Sequence, residues 1–223
     1  SFVSRKRIRR GCQAIGVRGT PAIGAQRLFF ARARGAHRAP PQRGRPRCHL
    51  PRARPASQRR GNPLPAAQAL WRCPEREFQY LACDLLERHG PSLAAADLDG
   101  LLALVVDKSW WDTVDTLAKR VGTLVRSDPS LVSRLDRLIA DDNLWLRRVA
   151  LLHQLGWKGA TDPDRLFAYC RRRAGDREFF IRKAIGWALR DYAWQAPEAV
   201  RAFLAEAGRE LSPLSRREAA KNL

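Results

Sequence analysis

The sequence contains no methionine, and its first 66 residues contain no aspartate, glutamate or tryptophan. That opening stretch carries 17 of the 42 lysines and arginines, 16 of them arginine, and 8 of the 14 prolines. Residues 67–223 hold the remaining 25 basic residues against all 22 acidic ones, a net charge of +3 within a total of +20. The large positive charge therefore belongs to the first segment and says little about the rest. Arg, Pro, Ala and Gly dominate residues 1–65, no apolar run there keeps a helical or strand period for long, and disorder is the expectation. Two readings of the segment stay open. It is a basic arm that binds phosphates by releasing counterions, or it is not a natural N-terminus, since an out-of-frame GC-rich gene encodes such a mixture. Its low serine content and lack of an amphipathic helix argue against a transit peptide.

Other absences narrow the function classes. No apolar run approaches the roughly 20 residues needed to span a bilayer, so no membrane association is expected. The five cysteines, at 12, 48, 73, 83 and 170, are odd in number and form no C-x-x-C pair, which excludes a disulfide-dense scaffold. Cys83 and Cys170 fall inside apolar helical patterns and read as small buried hydrophobes. His89 and His153 stand alone, and Cys48-His49 lies in the low-complexity segment, so neither a metal nor another cofactor is expected. Free thiols fit a cytoplasmic protein, in a bacterium one associated with the nucleoid.

From about residue 66 the pattern is helical throughout. Phe78, Leu81, Ala82, Leu85 and Leu86 share one face of a helix that ends at His89-Gly90-Pro91. A helix over about 93–107 follows, and Ser109 is placed to cap one beginning at Trp110. Asp128-Pro129 opens a helix to about 140, Asp142 or Asn143 one through Leu155-Gly156, and Thr161-Asp162-Pro163 one to about 173. Asp176 or Arg177 opens a longer one to about 194, Pro197 one to about 207, and Ser212-Pro213 the last. Nothing alternates with the period of a strand. The expectation is an all-α solenoid of degenerate HEAT-like repeats over 66–223, two helices per unit and a period of about 35–40 residues, with a compact bundle as the plainer architecture.

Three clusters carry candidate chemistry. Trp111 and Asp115 lie four apart on one helix face in Ser109-Trp110-Trp111-Asp112-Thr113-Val114-Asp115; of two adjacent tryptophans, one facing the core sends the other outward. In Asn143-Leu144-Trp145-Leu146-Arg147-Arg148 the apolar face is Leu144, Trp145, Val149 and Leu152, with Arg147 and Arg148 off it and free to bind a phosphate. In Glu178-Phe179-Phe180-Ile181-Arg182-Lys183-Ala184-Ile185-Gly186-Trp187, positions 183, 187 and 190 share a face, so Lys183 and Arg190 flank Trp187, an arrangement suited to phosphate and sugar. Gly186, costing about 1 kcal/mol against Ala in a helix, is expected to permit a close helix contact. Each cluster also has a plain reading of one core tryptophan with solvated charges.

These strings, with Arg76-Glu77-Phe78-Gln79 and Leu211-Ser212-Pro213-Leu214-Ser215-Arg216-Arg217-Glu218, resemble in residues, order and approximate spacing the AlkD family of DNA alkylpurine glycosylases over about residues 66–223. The resemblance implies a curved HEAT-like solenoid holding duplex DNA on a basic concave face. It implies hydrolysis of the N-glycosidic bond of positively charged bases such as 3-methyladenine and 7-methylguanine, without turning the base into a pocket. On the matching positions, Asp115, Trp111 and Trp187 would form the active site and Arg148 would bind phosphate, with Lys183 and Arg190 beside them on DNA. A monomer is expected, its partner double-stranded DNA carrying alkylated purines. Residues 1–66 depart from the helices that open the family's fold, which leaves the N-terminal repeat incomplete. A non-catalytic DNA-binding solenoid and a protein-interaction scaffold are the competing functions.

Overall fold

A computed structural model describes residues 61–223, and the readings made for residues 1–60 lie outside them. The described residues form ten α-helices and no strand. They are α1 Leu64–Trp71, α2 Arg76–His89, α3 Leu98–Val106, α4 Trp111–Ser127, α5 Val132–Leu138, α6 Leu144–Leu152, α7 Pro163–Arg172, α8 Phe179–Ala193, α9 Pro197–Ala207 and α10 Pro213–Ala219. Proline sits in the first turn of α1, α7, α9 and α10, where its missing N–H has no intrahelical acceptor to lose. Side chains of Asn143, Asp162 and Ser212 accept from the backbone N–H of Trp145, Arg165 and Ser215, capping α6, α7 and α10.

Even-numbered helices pack side by side in one row, α2 on α4, α4 on α6, α6 on α8 and α8 on α10. Odd-numbered helices cover that row: α1 on α2, α3 on α4 and α6, α5 on α6, α7 on α6 and α8, α9 on α8. This is the expected all-α helical repeat. Helices of the even row start at residues 76, 111, 144, 179 and 213, so the repeat is 33–35 residues, at or below the short end of the expected range. Several helices are shorter than the pattern suggested, because 3-10 turns at Ala95–Asp97 and Pro129–Leu131 take up residues assigned to them.

Repetition that is faint in residue identity is plain in the bonding. Side chains join neighbouring repeats at sequence separations near one period: Arg76 to Asp112, Asp115 to Arg148 and Lys183 to Glu218 in the even row, and Asp99 to Arg134 and Asp136 to Tyr169 in the odd row. Each bond ties a helix to its equivalent one repeat on, so the register is set by polar pairs as well as by the apolar core.

Two glycines in the even row mark close approaches. A Cβ on Gly186 would lie 2.4 Å from Cβ of Glu218 and 2.8 Å from the Ser215 carbonyl oxygen, so α8 and α10 touch there through bare backbone, as expected for Gly186. At Gly122 of α4 a Cβ would lie 1.8 Å from the carbonyl oxygen of His153, just past the end of α6. Helix propensity alone would make Gly122→Ala stabilising by about 1 kcal/mol. The clash reverses the sign, and a net loss of about 2 kcal/mol is expected as α4 is forced off α6. Thermal unfolding checks this; a variant melting at or above the wild-type temperature would contradict so tight a seam.

Candidate active site

Loop 107–110, which leads into α4, is fixed from the preceding repeat. Lys108 adopts a left-handed backbone (φ 48°) that a lysine rarely holds. Its ammonium donates to the carbonyls of Trp71, the last residue of α1, and of Cys73 just after it, and Arg76 donates to the Lys108 carbonyl at 2.8 Å. Arg76 also pairs with Asp112 in the first turn of α4 at 2.6 Å, and the Tyr80 hydroxyl donates to the other Asp112 oxygen at 2.8 Å. Helix α4 begins at Trp111, one residue later than expected. Ser109 does not cap it, because its hydroxyl donates to the Val105 carbonyl at 2.7 Å and closes the end of α3 instead.

With the start of α4 held this way, Trp111 stands 40 % exposed and Asp115 follows one turn later, its side chain 17 % exposed. Trp110 is also exposed, at 48 %, so neither member of the tryptophan pair is core. Trp110 lies 5.5 Å edge-on from Phe180 and 6.3 Å from Trp145, an aromatic strip across the first turns of α4, α6 and α8.

Both oxygens of Asp115 accept from Arg148: Nε at 2.7 Å to one and a terminal guanidinium nitrogen at 2.8 Å to the other. The remaining guanidinium nitrogen donates to the Phe180 carbonyl at 2.5 Å. This overturns the reading of Arg148 as lying off the apolar face of α6. Arg148 is 1 % exposed, and Val149, Ala150, Leu151 and Leu152 beside it are all buried. Helix α6 sits mid-row with neighbours on several sides, so it has no broad solvent face, and a guanidinium there must find all its acceptors inside. Each nitrogen of Arg148 is engaged by protein, whereas the phosphate role expected of it needs a donor facing solvent.

Burial pushes the Asp115 carboxyl above the ordinary aspartate value, while the hydrogen bonds and charge of Arg148 oppose that rise. Two-pronged donation to both oxygens by an always-protonated guanidinium is the geometry of a carboxylate.

Trp187 on α8 is partly buried, with three cationic groups near its ring: Arg148 at 5.3 Å, Lys183 at 5.6 Å and Arg190 at 5.9 Å from the centroid. Lys183 and Arg190 do flank the ring as their spacing suggests. Neither is free, because both pair with Glu218 of α10, at 2.8 Å and 3.3 Å. Asp115, Arg148, Trp187, Lys183 and Arg190 thus form one connected cluster, and Trp111 stands a turn from it on α4. Sequence reasoning assigned no role to Glu218 or Tyr80; both sit about one repeat away from their partners, and that spacing was the available signal.

Burial pushes the Cys83 thiol up to about 12 and that of Cys170 higher still, leaving both protonated and buried as expected. Burial likewise depresses His153 to about 4, keeping it neutral inside the core. Among the described residues no group of His, Cys, Asp and Glu could hold a metal ion, and no helix is long and apolar enough to cross a membrane.

The family model of the DNA alkylation repair enzymes matches residues 52–223. The chain belongs to that family. A solved structure described as a predicted DNA alkylation repair enzyme from Enterococcus faecalis is 36 % identical, with a TM-score of 0.63 over 70 % of this chain and 73 % of that one. No curated protein matches the chain. The matched region begins before the described residues and runs through all ten helices of this DNA alkylation repair family member, so the Asp115–Arg148–Trp187 cluster lies within it.

Proposed function

We propose that the protein is a monofunctional DNA glycosylase that hydrolyses the N-glycosidic bond of positively charged alkylpurines, 3-methyladenine and 7-methylguanine, in duplex DNA without turning the base into a pocket. The observation that carries the reading is a partly exposed carboxylate, Asp115, gripped through both oxygens by buried Arg148, with the Trp187 ring over the same guanidinium.

A cationic alkylpurine is already a good leaving group, so no general acid is required. As the C1′–N bond breaks, its electron pair passes to the purine and cancels the positive charge on the base, and the sugar becomes oxocarbenium-like. Asp115 stabilises that cation and orients the water that attacks C1′; the water's second proton leaves to solvent. The faces of Trp111 and Trp187 add attraction for the sugar cation through the ring quadrupole. Arg148 acts through Asp115, fixing its rotamer, and Lys183 and Arg190 keep donors for DNA phosphates beside the ring. Neutral lesions, which leave poorly, should be poor substrates. The protein would act as a monomer in the bacterial cytoplasm, on the nucleoid.

Incubation with a duplex containing 7-methylguanine, followed by measurement of free base, tests the reading. Release of 7-methylguanine without strand cleavage is expected. DNA binding without release would leave a non-catalytic DNA-binding solenoid, and absence of both would leave an interaction scaffold.

A further inference from the structure

The surroundings of Trp187 pose an electrostatic difficulty. Three cations within 6 Å of one ring would repel a cationic base and the sugar cation formed from it. Asp115 balances Arg148, which leaves Lys183 and Arg190. Glu218 is the group that meets them. It reaches Lys183 at 2.8 Å and Arg190 at 3.3 Å, and Lys221 one turn along at 2.6 Å, while its side chain is only 6 % exposed.

The fold builds this contact deliberately close. Gly186 lies between Lys183 and Trp187 on the face of α8 that meets α10, and its missing Cβ lets the Glu218 backbone seat against α8. Ser215, one turn earlier on α10, donates to the Arg182 carbonyl at 2.9 Å and fixes the same seam. Although burial alone would raise it, the hydrogen bonds and charges of Lys183 and Lys221 pull the Glu218 carboxyl down to about 2, so it stays charged through any working pH.

We propose that Glu218 is a specificity-determining positioning residue: it offsets one unit of the positive charge that Lys183 and Arg190 bring beside Trp187, so that the site accepts a cationic purine while those side chains still face DNA phosphates. This rests on the glycosylase reading in its catalytic half only. The consequence for plain DNA affinity follows from charge alone and has the opposite sign, which separates the proposal from a merely structural role. A damaged fold would weaken both quantities together.

The test is Glu218→Gln, close in shape but uncharged, in the full chain. Binding to an undamaged duplex should tighten several-fold, and the slope of log affinity against log salt should steepen by about one. The kcat/KM for 7-methylguanine release should fall about tenfold, mainly in kcat, since the repulsion grows as the sugar becomes cationic. Lys221→Gln, which leaves Glu218 fewer cations to balance, should shift both quantities the other way by about twofold, and it covers the case in which the glutamine variant fails to fold. Unchanged or weaker duplex binding by Glu218→Gln overturns the proposal, as does undiminished excision. A wild-type protein that releases no base overturns the glycosylase reading instead, and the duplex-binding arm still decides the charge-balancing role.

Discussion

Asp115→Asn should abolish most base excision, by about a hundredfold to ten-thousandfold, while duplex affinity stays the same or rises. The substitution keeps the size of the side chain but removes the negative charge that faces the developing sugar cation, the electrostatic contribution that is usually the largest in such a site. Affinity should not suffer, because a negative group next to a polyanion opposes binding and its loss relieves that opposition. Single-turnover release of 7-methylguanine, beside a binding isotherm on the same duplex, measures both. Equal excision by the variant would remove Asp115 from the mechanism. In the wild type the acid limb of the pH profile should report the same group. Only the carboxylate form stabilises a cation, and burial holds its pKa above the ordinary aspartate value, so activity should be lost at a pH higher than free aspartate would give.

Arg148→Met should carry the second large effect, because it removes the fully buried partner of an ion pair whose carboxylate is itself mostly buried. With Arg148 1 % exposed, Asp115 would lose both hydrogen bonds from that guanidinium and keep its desolvation, a combination that costs about 3–5 kcal/mol. Methionine fills the volume and leaves the apolar packing of α6 nearly intact, so the loss reports the pair rather than a cavity. Urea unfolding should show the destabilisation at neutral pH, and excision should fall with it as the Asp115 carboxyl drifts toward its protonated form. The salt dependence of duplex binding then separates two roles. A residue that serves only Asp115 leaves the slope of log affinity against log salt unchanged, whereas a direct phosphate contact would lower it by about one. An unchanged slope with lost activity is the expected outcome. A reduced slope would mean that Arg148 leaves its carboxylate for DNA.

What was legible in the sequence by itself was local. Apolar residues at helical spacing, Gly-Pro and Asp-Pro boundaries and the caps at Asn143, Asp162 and Ser212 determine an all-α fold over the described residues, with its helices in nearly the right places. The face that carries Lys183, Trp187 and Arg190 follows from spacing alone, because residues three and four apart on a helix must be neighbours. Family membership is legible too, as strings of residue types in order.

Only the tertiary structure decided where charge is buried and what meets it. Arg148 looked like a surface arginine because periodicity reports one apolar face, and a helix in the middle of a row of helices has several. Glu218 looked like one more charge near the C-terminus, since its partners Lys183 and Arg190 are one repeat and about 30 residues away, beyond any local pattern. Ser109 went to the end of α3 rather than the start of α4 because two helix ends compete for one hydroxyl, and only the packed loop decides between them. The physical reason is common to all three. Local sequence sets the backbone conformation, whereas the partner of a polar side chain in a repeat fold lies one period away, where stacking alone brings the two together.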